Sequence, residues 1–417
     1  MTLRDIDRFP IEQRDSIAID GVVAERTCHP TDPHEVADLL RQASEDSCSV
    51  HPVGSGLHQR FGRTPDRVDI AVSTLGLAGI IRYDPEDLVV SVGAGTTLAD
   101  LQAELATHGQ WLPVEAPGGS QATVGGMLAL GLTGPRQLGS LSMRDLLLGM
   151  SVALTDGTVA RSGGMVVKNV TGFDMGRLHV GARGTLGIIA SANFKVLPRP
   201  ETEATLLTRF TADPVGIASA IAASDRLRAG SLRPVAVELT VESDSVELAV
   251  RFEGRDGAVR RQLRGAAEAV GEDQSTITDP VEGQAWWSRH VEGLGFAATD
   301  RPVLRLDARP REIGGLAGTV AEGLRRTVVP GWRVVVSPGM GLAWVQLGTA
   351  PRSAVSGLLD ELGNGPAAIT VMSAPTGWKN ELRSGNSTNA VARPIDEALR
   401  KQFDPNQILN RGRFPIA

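Results

Sequence analysis

The order of apolar and polar residues predicts a first half built from short strands with a few helices. Asp32-Pro33 precedes apolar positions at helical spacing, which predicts a capped helix. Thr96 or Thr97 is placed to cap a second helix that runs through His108. Two apolar runs flank Asp156-Gly157, and this pattern is typical of a β-hairpin. The pattern changes at Pro198-Arg199-Pro200, which we take as the first domain boundary.

The second half repeats one order of predicted elements at an offset of about 100 residues. The first run comprises strand Ala204–Phe210, helix Asp213–Arg228, strands Val235–Val241 and Val246–Phe252, and helix Ala258–Val270. The second comprises strand Val303–Asp307, helix Ile313–Arg325, strands Arg333–Val336 and Leu342–Leu347, helix Ser353–Leu362 and strand Ala368–Met372. Each run suits a ferredoxin-like unit, and the two can pair into one antiparallel sheet covered by helices. We therefore predict an α+β fold with domains at 1–200 and 201–385, followed by a helix and tail at 386–417.

Composition narrows the class of protein. The 417 residues include 42 Lys and Arg against 48 Asp and Glu, for a net charge of −6, and no long basic run occurs. This balance argues against nucleic acid as the main partner. Only Cys28 and Cys48 are present, without a CxxC pair, so a thiolate zinc site and a self-contained iron–sulfur cluster are not expected. No histidine motif predicts a metal site either.

No segment predicts secretion or membrane insertion. Met1–Pro10 carries four charges and lacks an apolar stretch, and the apolar window Val124–Leu132 is far shorter than the roughly 20 residues that span a bilayer. We expect a cytoplasmic protein that reaches a membrane only through partner subunits.

Glycines concentrate between Gly118 and Gly187, where 70 residues hold 16 of them. Tight turns are one explanation. The other is backbone that approaches a ligand closely with free N–H groups, and glycines inside apolar runs favour it. Nucleotide motifs of other folds do not fit: Leu98 and Gln59 occupy the third glycine position of the two candidate GxGxxG sequences.

Several longer motifs resemble those of the vanillyl-alcohol-oxidase-type (PCMH-type) FAD-binding domain. They are Gly54-Ser55-Gly56, Pro117-Gly118-Gly119-Ser120-Gln121-Ala122-Thr123-Val124-Gly125-Gly126, Lys168-Asn169-Val170-Thr171-Gly172-Phe173-Asp174 and Gly184-Thr185-Leu186-Gly187-Ile188-Ile189. Within that superfamily the chain is most similar to the FAD-binding subunits of bacterial glycolate oxidases. The resemblance covers residues 15 to 200, a segment at 368–375 and the tail.

The resemblance implies which residues bind FAD. The first pyrophosphate loop would be Val53, Gly54, Ser55, Gly56, Leu57 and His58, and the second side Pro117, Gly118, Thr123, Val124, Gly125 and Gly126. Gly184, Gly187, Ile188 and Ile189 would run beside the adenine and ribose, and Asn410 of the tail would lie near the isoalloxazine. Successive N–H groups of such loops can hold an anion. A helix at Val124–Leu130 would point its N-terminus at phosphate.

Three departures from the family pattern change the expected chemistry. The histidine that holds FAD covalently in many members aligns with Leu57, and His58 is one residue late, so we expect non-covalent FAD. The His-x-Gly-Asp-Gly-Asn motif of related 2-hydroxy acid dehydrogenases is absent, and Ser373 stands where arginine is expected.

The expected function is that of a FAD-binding subunit in a glycolate-oxidase-like enzyme. It would transfer a hydride from the carbinol carbon of a small 2-hydroxy acid to flavin N5. His290 is the candidate base; the candidate cations for the carboxylate are Arg289, Arg305, Lys379 and Arg383, although each is also compatible with solvated surface charge. Electrons would leave through an iron–sulfur subunit or a second FAD subunit. A non-catalytic structural or electron-relay subunit and a stand-alone FAD-dependent alcohol or sugar oxidase are the alternatives.

Overall fold

The computed structural model describes residues 16–166, 174–271, 275–294, 301–326, 329–363, 365–382 and 392–414. The chain divides into two compact units. The first unit comprises residues 1–133, 141–199 and 388–417, and the second comprises 134–140 and 200–387. No helix in the described ranges combines the length and apolar character needed to cross a membrane.

The first unit contains short strands and helices in a mixed order. Its elements up to residue 198 are β1 (Ala18–Ile19), β2 (Val22–Val23), β3 (Arg26–Cys28), α1 (Pro33–Glu45), β4 (Val50–Val53), β5 (Ile70–Ser73), β6 (Ile80–Asp84), β7 (Val89–Gly93), α2 (Leu98–Ala106), β8 (Gln110–Trp111), α3 (Val124–Leu130), α4 (Met143–Leu146), β9 (Leu147–Ala153), β10 (Val159–Gly163), α5 (Gly176–His179), β11 (Ile188–Lys195) and β12 (Leu197–Pro198).

Two sheets organise this unit. One is a parallel sheet of order β3-β5-β4, and the other is an antiparallel sheet of order β10-β9-β11-β7-β6. Local signals in the sequence determine where several helices and strands of this unit begin or turn. Asp32 caps α1, with Pro33 at the first helical position, and Thr97 caps α2. The hairpin of β9 and β10 forms around Asp156-Gly157, as predicted.

The second unit is built on one sheet of eight antiparallel strands. Its elements are β13 (Thr202–Phe210), α6 (Pro214–Ala229), β14 (Ala236–Glu242), β15 (Val246–Gly254), α7 (Asp256–Val270), β16 (Ser275–Thr278), α8 (Pro280–Gly293), β17 (Val303–Asp307), α9 (Pro310–Arg326), β18 (Arg333–Ser337), β19 (Leu342–Gln346), α10 (Arg352–Gly363), β20 (Ala368–Ser373) and α11 (Thr376–Lys379). The strand order is β16-β13-β15-β14-β18-β19-β17-β20. The predicted α+β fold with two ferredoxin-like units in one antiparallel sheet is confirmed.

The two ferredoxin-like units join where β14 pairs with β18, the second strand of each. Each ends on a fourth strand at the outer edge, β16 or β20. The alternation of side chains along β14 separates two faces of the sheet. Val237, Leu239 and Val241 enter the apolar core under α6, α7, α9 and α10. Ala236 lies on the opposite face, where it packs against Trp287 of α8.

The tail returns to the first unit. After α12 (Ala392–Phe403), Leu409 forms a parallel bridge with Val50 at the free edge of β4. The Val50 N–H donates to the carbonyl of Ile408 (2.8 Å), and the Asn410 N–H donates to the carbonyl of Val50 (2.8 Å). Ile408 is fully buried in the core beneath α1. The tail thus adds an edge to the parallel sheet beside the first glycine-rich loop.

Candidate functional site

A cleft of the first unit is formed by the loop after β4, the start of α3, the backbone around Gly184–Ile189 and the tail. The space between these segments, open solvent included, is about 900 Å³. The predicted binding residues that line it are Val53, Gly54, Ser55, Gly56, Leu57, His58, Thr123, Gly125, Gly126, Gly184, Gly187, Ile188, Ile189 and Asn410. Four segments that are distant in the sequence therefore converge here.

Three predicted residues are not among those that line the cleft. The Val124 side chain is fully buried in the core of the first unit. The Pro117 carbonyl accepts a hydrogen bond from Nε2 of His58 (3.0 Å), and Gly118 follows with φ of +94°, a conformation that favours glycine. Pro117 and Gly118 therefore support the first loop through its contact with His58.

Sequence reasoning missed several residues that line the cleft. They are Pro52, Gln59, Phe61, Thr74, Ala129, Leu130, His179, Ala182, Arg183, Arg413 and Phe414. The Arg-Gly-Arg-Phe sequence directly after Asn410 is the one signal that pointed to Arg413 and Phe414, because a tail that places Asn410 in the cleft also brings its neighbours close.

Some glycines of the cleft are required because neighbouring segments of the protein pack closely against them. A Cβ on Gly54 would lie 2.2 Å from Oγ1 of Thr123, and a Cβ on Gly125 would lie 2.9 Å from Cβ of Ala94. A Cβ on Gly184 would lie 3.0 Å from Nδ2 of Asn410. The two glycine-rich loops and the tail can meet only because these side chains are absent.

The backbone N–H groups in the cleft differ in availability. Among the described residues, those of Ser55, Gly56 and Leu57 donate to no protein acceptor. At the start of α3, in contrast, the Val124 and Gly125 N–H groups donate to the carbonyls of Thr96 (2.9 Å) and Ala94 (2.8 Å). The Gly126 N–H donates to Oγ1 of Thr123 (3.3 Å). The expectation that this helix start offers its N–H groups to phosphate is therefore not met at these three positions, whereas the first loop keeps its donors free.

Comparison with known families decides what this cleft holds. Residues 24–163 match the family model described as an FAD binding domain. This part of the chain is an FAD-binding domain. The predicted PCMH-type resemblance and the FAD cofactor are confirmed. The free donors of the first loop fit the pyrophosphate of FAD, and so does the absence of Asp and Glu from the described residues that line the cleft.

Curated relatives match different lengths of the chain. The glycolate oxidase subunit GlcE of Escherichia coli (strain K12) is 38% identical over 240 residues, which are 56% of this chain and 65% of that subunit. A D-lactate dehydrogenase of Archaeoglobus fulgidus is 34% identical over 170 residues, 41% of this chain and 38% of that enzyme. The chain thus matches less than two thirds of the length of either relative.

A solved structure extends the likeness of fold beyond the FAD-binding domain. An alkyldihydroxyacetonephosphate synthase matches with a TM-score of 0.67 over 98% of this chain and 78% of that protein. The sequence identity is 16%. At this identity the match shows a shared fold and nothing about the reaction.

We predict that the FAD-binding domain releases its flavin when the protein is denatured. Leu57 packs against the apolar core of the first unit, and Nε2 of His58 is engaged by the Pro117 carbonyl. Burial also lowers the pKa of His58. Acid precipitation of the yellow protein should leave the flavin absorbance in the supernatant. Yellow colour retained in the washed precipitate would contradict a non-covalent link.

The candidate base His290 lies in the second unit, in a cluster between α8 and the sheet. Its ring stacks on Trp286, with centroids 4.7 Å apart and planes 13° apart. Nε2 lies 3.2 Å from Oε2 of Glu238, and both side chains are 1% exposed. A nitrogen of Arg333 lies 3.4 Å from Nδ1. Because a guanidinium can only donate, Nδ1 is the acceptor and Nε2–H donates to Glu238.

Arg289 and His290 line a polar pocket of the second unit. Its walls also carry Arg209, Arg333, Trp286 and Thr240, together with three carboxylates, Glu242, Asp244 and Glu247. Oγ1 of Thr240 is buried, with no hydrogen-bond partner in the described chain. Arg209 contacts Glu247 (3.4 Å) and Arg333 contacts Glu242 (3.5 Å), so Arg289 is the arginine of this pocket that pairs with no carboxylate among the described residues. A guanidinium of this kind beside an imidazole can bind a small carboxylate.

The other candidate cations have different surroundings. Arg305 on β17 forms a bidentate ion pair with Asp307, in which Nη2 lies 2.7 Å from Oδ1. The charge of the Arg305 guanidinium is therefore already neutralised by a protein carboxylate. Lys379 is 5% exposed. Arg383 lies outside the described residues. Within the described ranges no three His, Cys, Asp or Glu side chains come together as metal ligands.

Proposed function

We propose that the chain is the FAD-binding subunit of an oxidoreductase that acts on small 2-hydroxy acids. The observation that carries the proposal is an FAD-binding domain in a chain that is similar to two relatives, one named a glycolate oxidase subunit and the other a D-lactate dehydrogenase. Glycolate and D-lactate are both small 2-hydroxy acids. Acceptance of a hydride from the carbinol carbon at flavin N5 is the chemistry that bound FAD supplies.

In this proposal the polar pocket of the second unit binds the substrate. Arg289 is exposed and holds the carboxylate, and His290 takes the hydroxyl proton on Nδ1. Nδ1 is the ring nitrogen able to act, because Nε2 donates to Glu238. Arg333 lies 3.4 Å from Nδ1, so the proposal requires that this hydrogen bond be given up when the substrate binds.

The experiment is anaerobic mixing of the FAD-loaded protein with glycolate or D-lactate, followed by flavin absorbance. We expect bleaching with at least one of the two acids. Arg289→Met should raise KM about 10-fold or more with little change in kcat, since it removes a charge-assisted contact with the carboxylate. His290→Gln should lower kcat by about 10²–10⁴-fold. Arg260→Met, on the exposed face of α7, is the matched control.

Absence of bleaching would favour the second candidate, a flavin-binding structural or electron-relay subunit. Both ring nitrogens of His290 are engaged by protein side chains, and this favours that alternative. If the flavin bleaches but Arg289→Met leaves the KM for glycolate unchanged, the pocket of the second unit is not the substrate site. A stand-alone alcohol or sugar oxidase would bleach with an alditol and not with either acid.

We also propose partner subunits that carry the electrons away. Cys28 and Cys48 are both buried and free, and burial raises the pKa of the Cys28 thiol to about 11. Neither is suited to an iron–sulfur cluster. The proposal is a second FAD subunit and an iron–sulfur subunit. Co-purification with the products of neighbouring genes, with iron measured in the complex, tests it; a chain that stays alone and reduces a soluble acceptor contradicts it.

A further inference from the structure

The cleft of the FAD-binding domain has an unusual balance of charge. Among the residues that the structure describes, two arginines, Arg183 and Arg413, line it, and no Asp or Glu does. The pyrophosphate of FAD brings two negative charges into such a cleft. Arg183 is exposed, with its guanidinium over the rings of Phe61 (5.3 Å) and Phe414 (5.7 Å). Arg413 is the buried member of the pair, 3% exposed.

The tail holds Arg413 in a fixed position. Its Nη2 donates to the carbonyl of Gln59 at 2.6 Å and to that of Phe61, both directly after the first loop in the sequence. Its own carbonyl accepts from the Arg63 N–H at 2.9 Å. Nη1 of the same guanidinium is buried, and within the described chain it has no hydrogen-bond partner. A charged donor left unpaired in this way is unfavourable unless a ligand completes it.

Arg413 is charged where it lies. Burial lowers the pKa of Arg413 to about 10, which still leaves the guanidinium protonated at neutral pH. The neighbouring His51 is neutral, because burial and then the charge of Arg413 lower the pKa of His51 to about 4. Asp20, whose charge acts on Arg413, is not among the residues that line the cleft. The guanidinium of Arg413 therefore places one positive charge beside the first loop.

The first loop and Arg413 complement each other. Ser55, Gly56 and Leu57 supply free but uncharged N–H donors, whereas the start of α3 has already used its first three. We propose that Arg413 is the charged ligand of the FAD pyrophosphate, brought by the C-terminal tail to the first glycine-rich loop. This concerns the binding of FAD only, so it stands or falls independently of the substrate.

The test is a titration of the apoprotein with three probes. FAD contains both the flavin and the pyrophosphate. ADP contains the pyrophosphate without the flavin, and riboflavin contains the flavin without any phosphate. We expect Arg413→Met to raise Kd for FAD and for ADP about 10- to 100-fold, as loss of a charge-assisted hydrogen bond predicts. Kd for riboflavin should change less than about 3-fold. Arg413→Lys keeps the charge and should recover part of the ADP affinity.

Arg411→Met is the matched control. Arg411 lies in the same tail and also donates to backbone carbonyls, those of Ser47 (3.0 Å) and Gln407 (2.9 Å), but does not line the cleft. Its FAD and ADP affinities should match those of the unaltered protein. Unchanged ADP binding in Arg413→Met, or an equal loss for riboflavin, overturns the proposal.

A second measurement, on Arg183→Met, covers the case in which Arg413→Met fails to fold. In this variant Arg413 is the arginine that still lines the cleft, so raising NaCl should weaken ADP binding and leave riboflavin binding nearly constant. ADP affinity that is independent of salt would overturn the proposal as well.

Discussion

Deletion of residues 403–417 is expected to abolish FAD retention and to destabilise the first unit by several kcal/mol. The deleted segment contains Ile408, which is fully buried, and Leu409, which is 5% exposed. It also removes the bridge to Val50 and leaves that N–H without its acceptor. Asn410 is lost from the cleft, where its Nδ2 donates to the carbonyl of Arg183 at 2.9 Å. The readouts are the flavin-to-protein absorbance ratio after gel filtration and the chemical denaturation curve.

Single substitutions test the contribution of tail packing to stability without shortening the chain. Ile408→Ala should reduce the free energy of unfolding by about 2–5 kcal/mol, the usual result of truncating a buried aliphatic side chain. Lys401→Ala, at an exposed position of α12, should change it by less than about 0.5 kcal/mol. A truncated protein with full FAD occupancy and an unchanged flavin spectrum would show that the tail is dispensable.

Local and periodic signals predicted much of the fold. The proline after Asp32 and the threonine before Leu98 determined where α1 and α2 begin, because capping side chains act within three residues. The repeat of strands and helices predicted the paired ferredoxin-like units, because each apolar face must be covered by its neighbour. The edge strand β16 (Ser275–Thr278) was missed: a short polar strand at a sheet edge leaves almost no apolar period.

Long-range contacts in the site could not be predicted from the pattern. The pairing of His290 with Glu238 joins residues 52 positions apart, and neither sequence neighbourhood indicates the other. Gly125 is glycine because Ala94 lies against it, whereas the sequence suggested a ligand. Arg413 looked like an ordinary charge of the tail; its burial depends on Gln59 and Phe61, more than 350 residues away. Family motifs indicated which loops form the cleft but not which side chain carries its charge.

Two buried histidines make the stability of the first unit sensitive to mild acid. His51 on β4 is fully buried and His179 of α5 is 6% exposed against Phe403. Burial lowers the pKa of each to about 4 from the 6.5 of an exposed imidazole. The unfolded chain therefore binds protons between pH 6.5 and 4 that the folded chain does not. Stability is complete above pH 6.5, falls as the pH decreases through this window and levels off below about 4.

Acidification of the apoprotein from pH 7 to pH 5 is accordingly expected to lower the free energy of unfolding by about 2 kcal/mol per buried histidine, about 4 kcal/mol together. Urea denaturation at the two pH values measures it, and this range stays above the titration of most carboxylates. His179→Gln should remove about 2 kcal/mol of the pH-dependent loss, because glutamine does not titrate. His34→Gln, exposed on α1, should leave the loss unchanged. Equal stability at pH 7 and 5 would mean that these imidazoles gain protons in the folded state as readily as in the unfolded one.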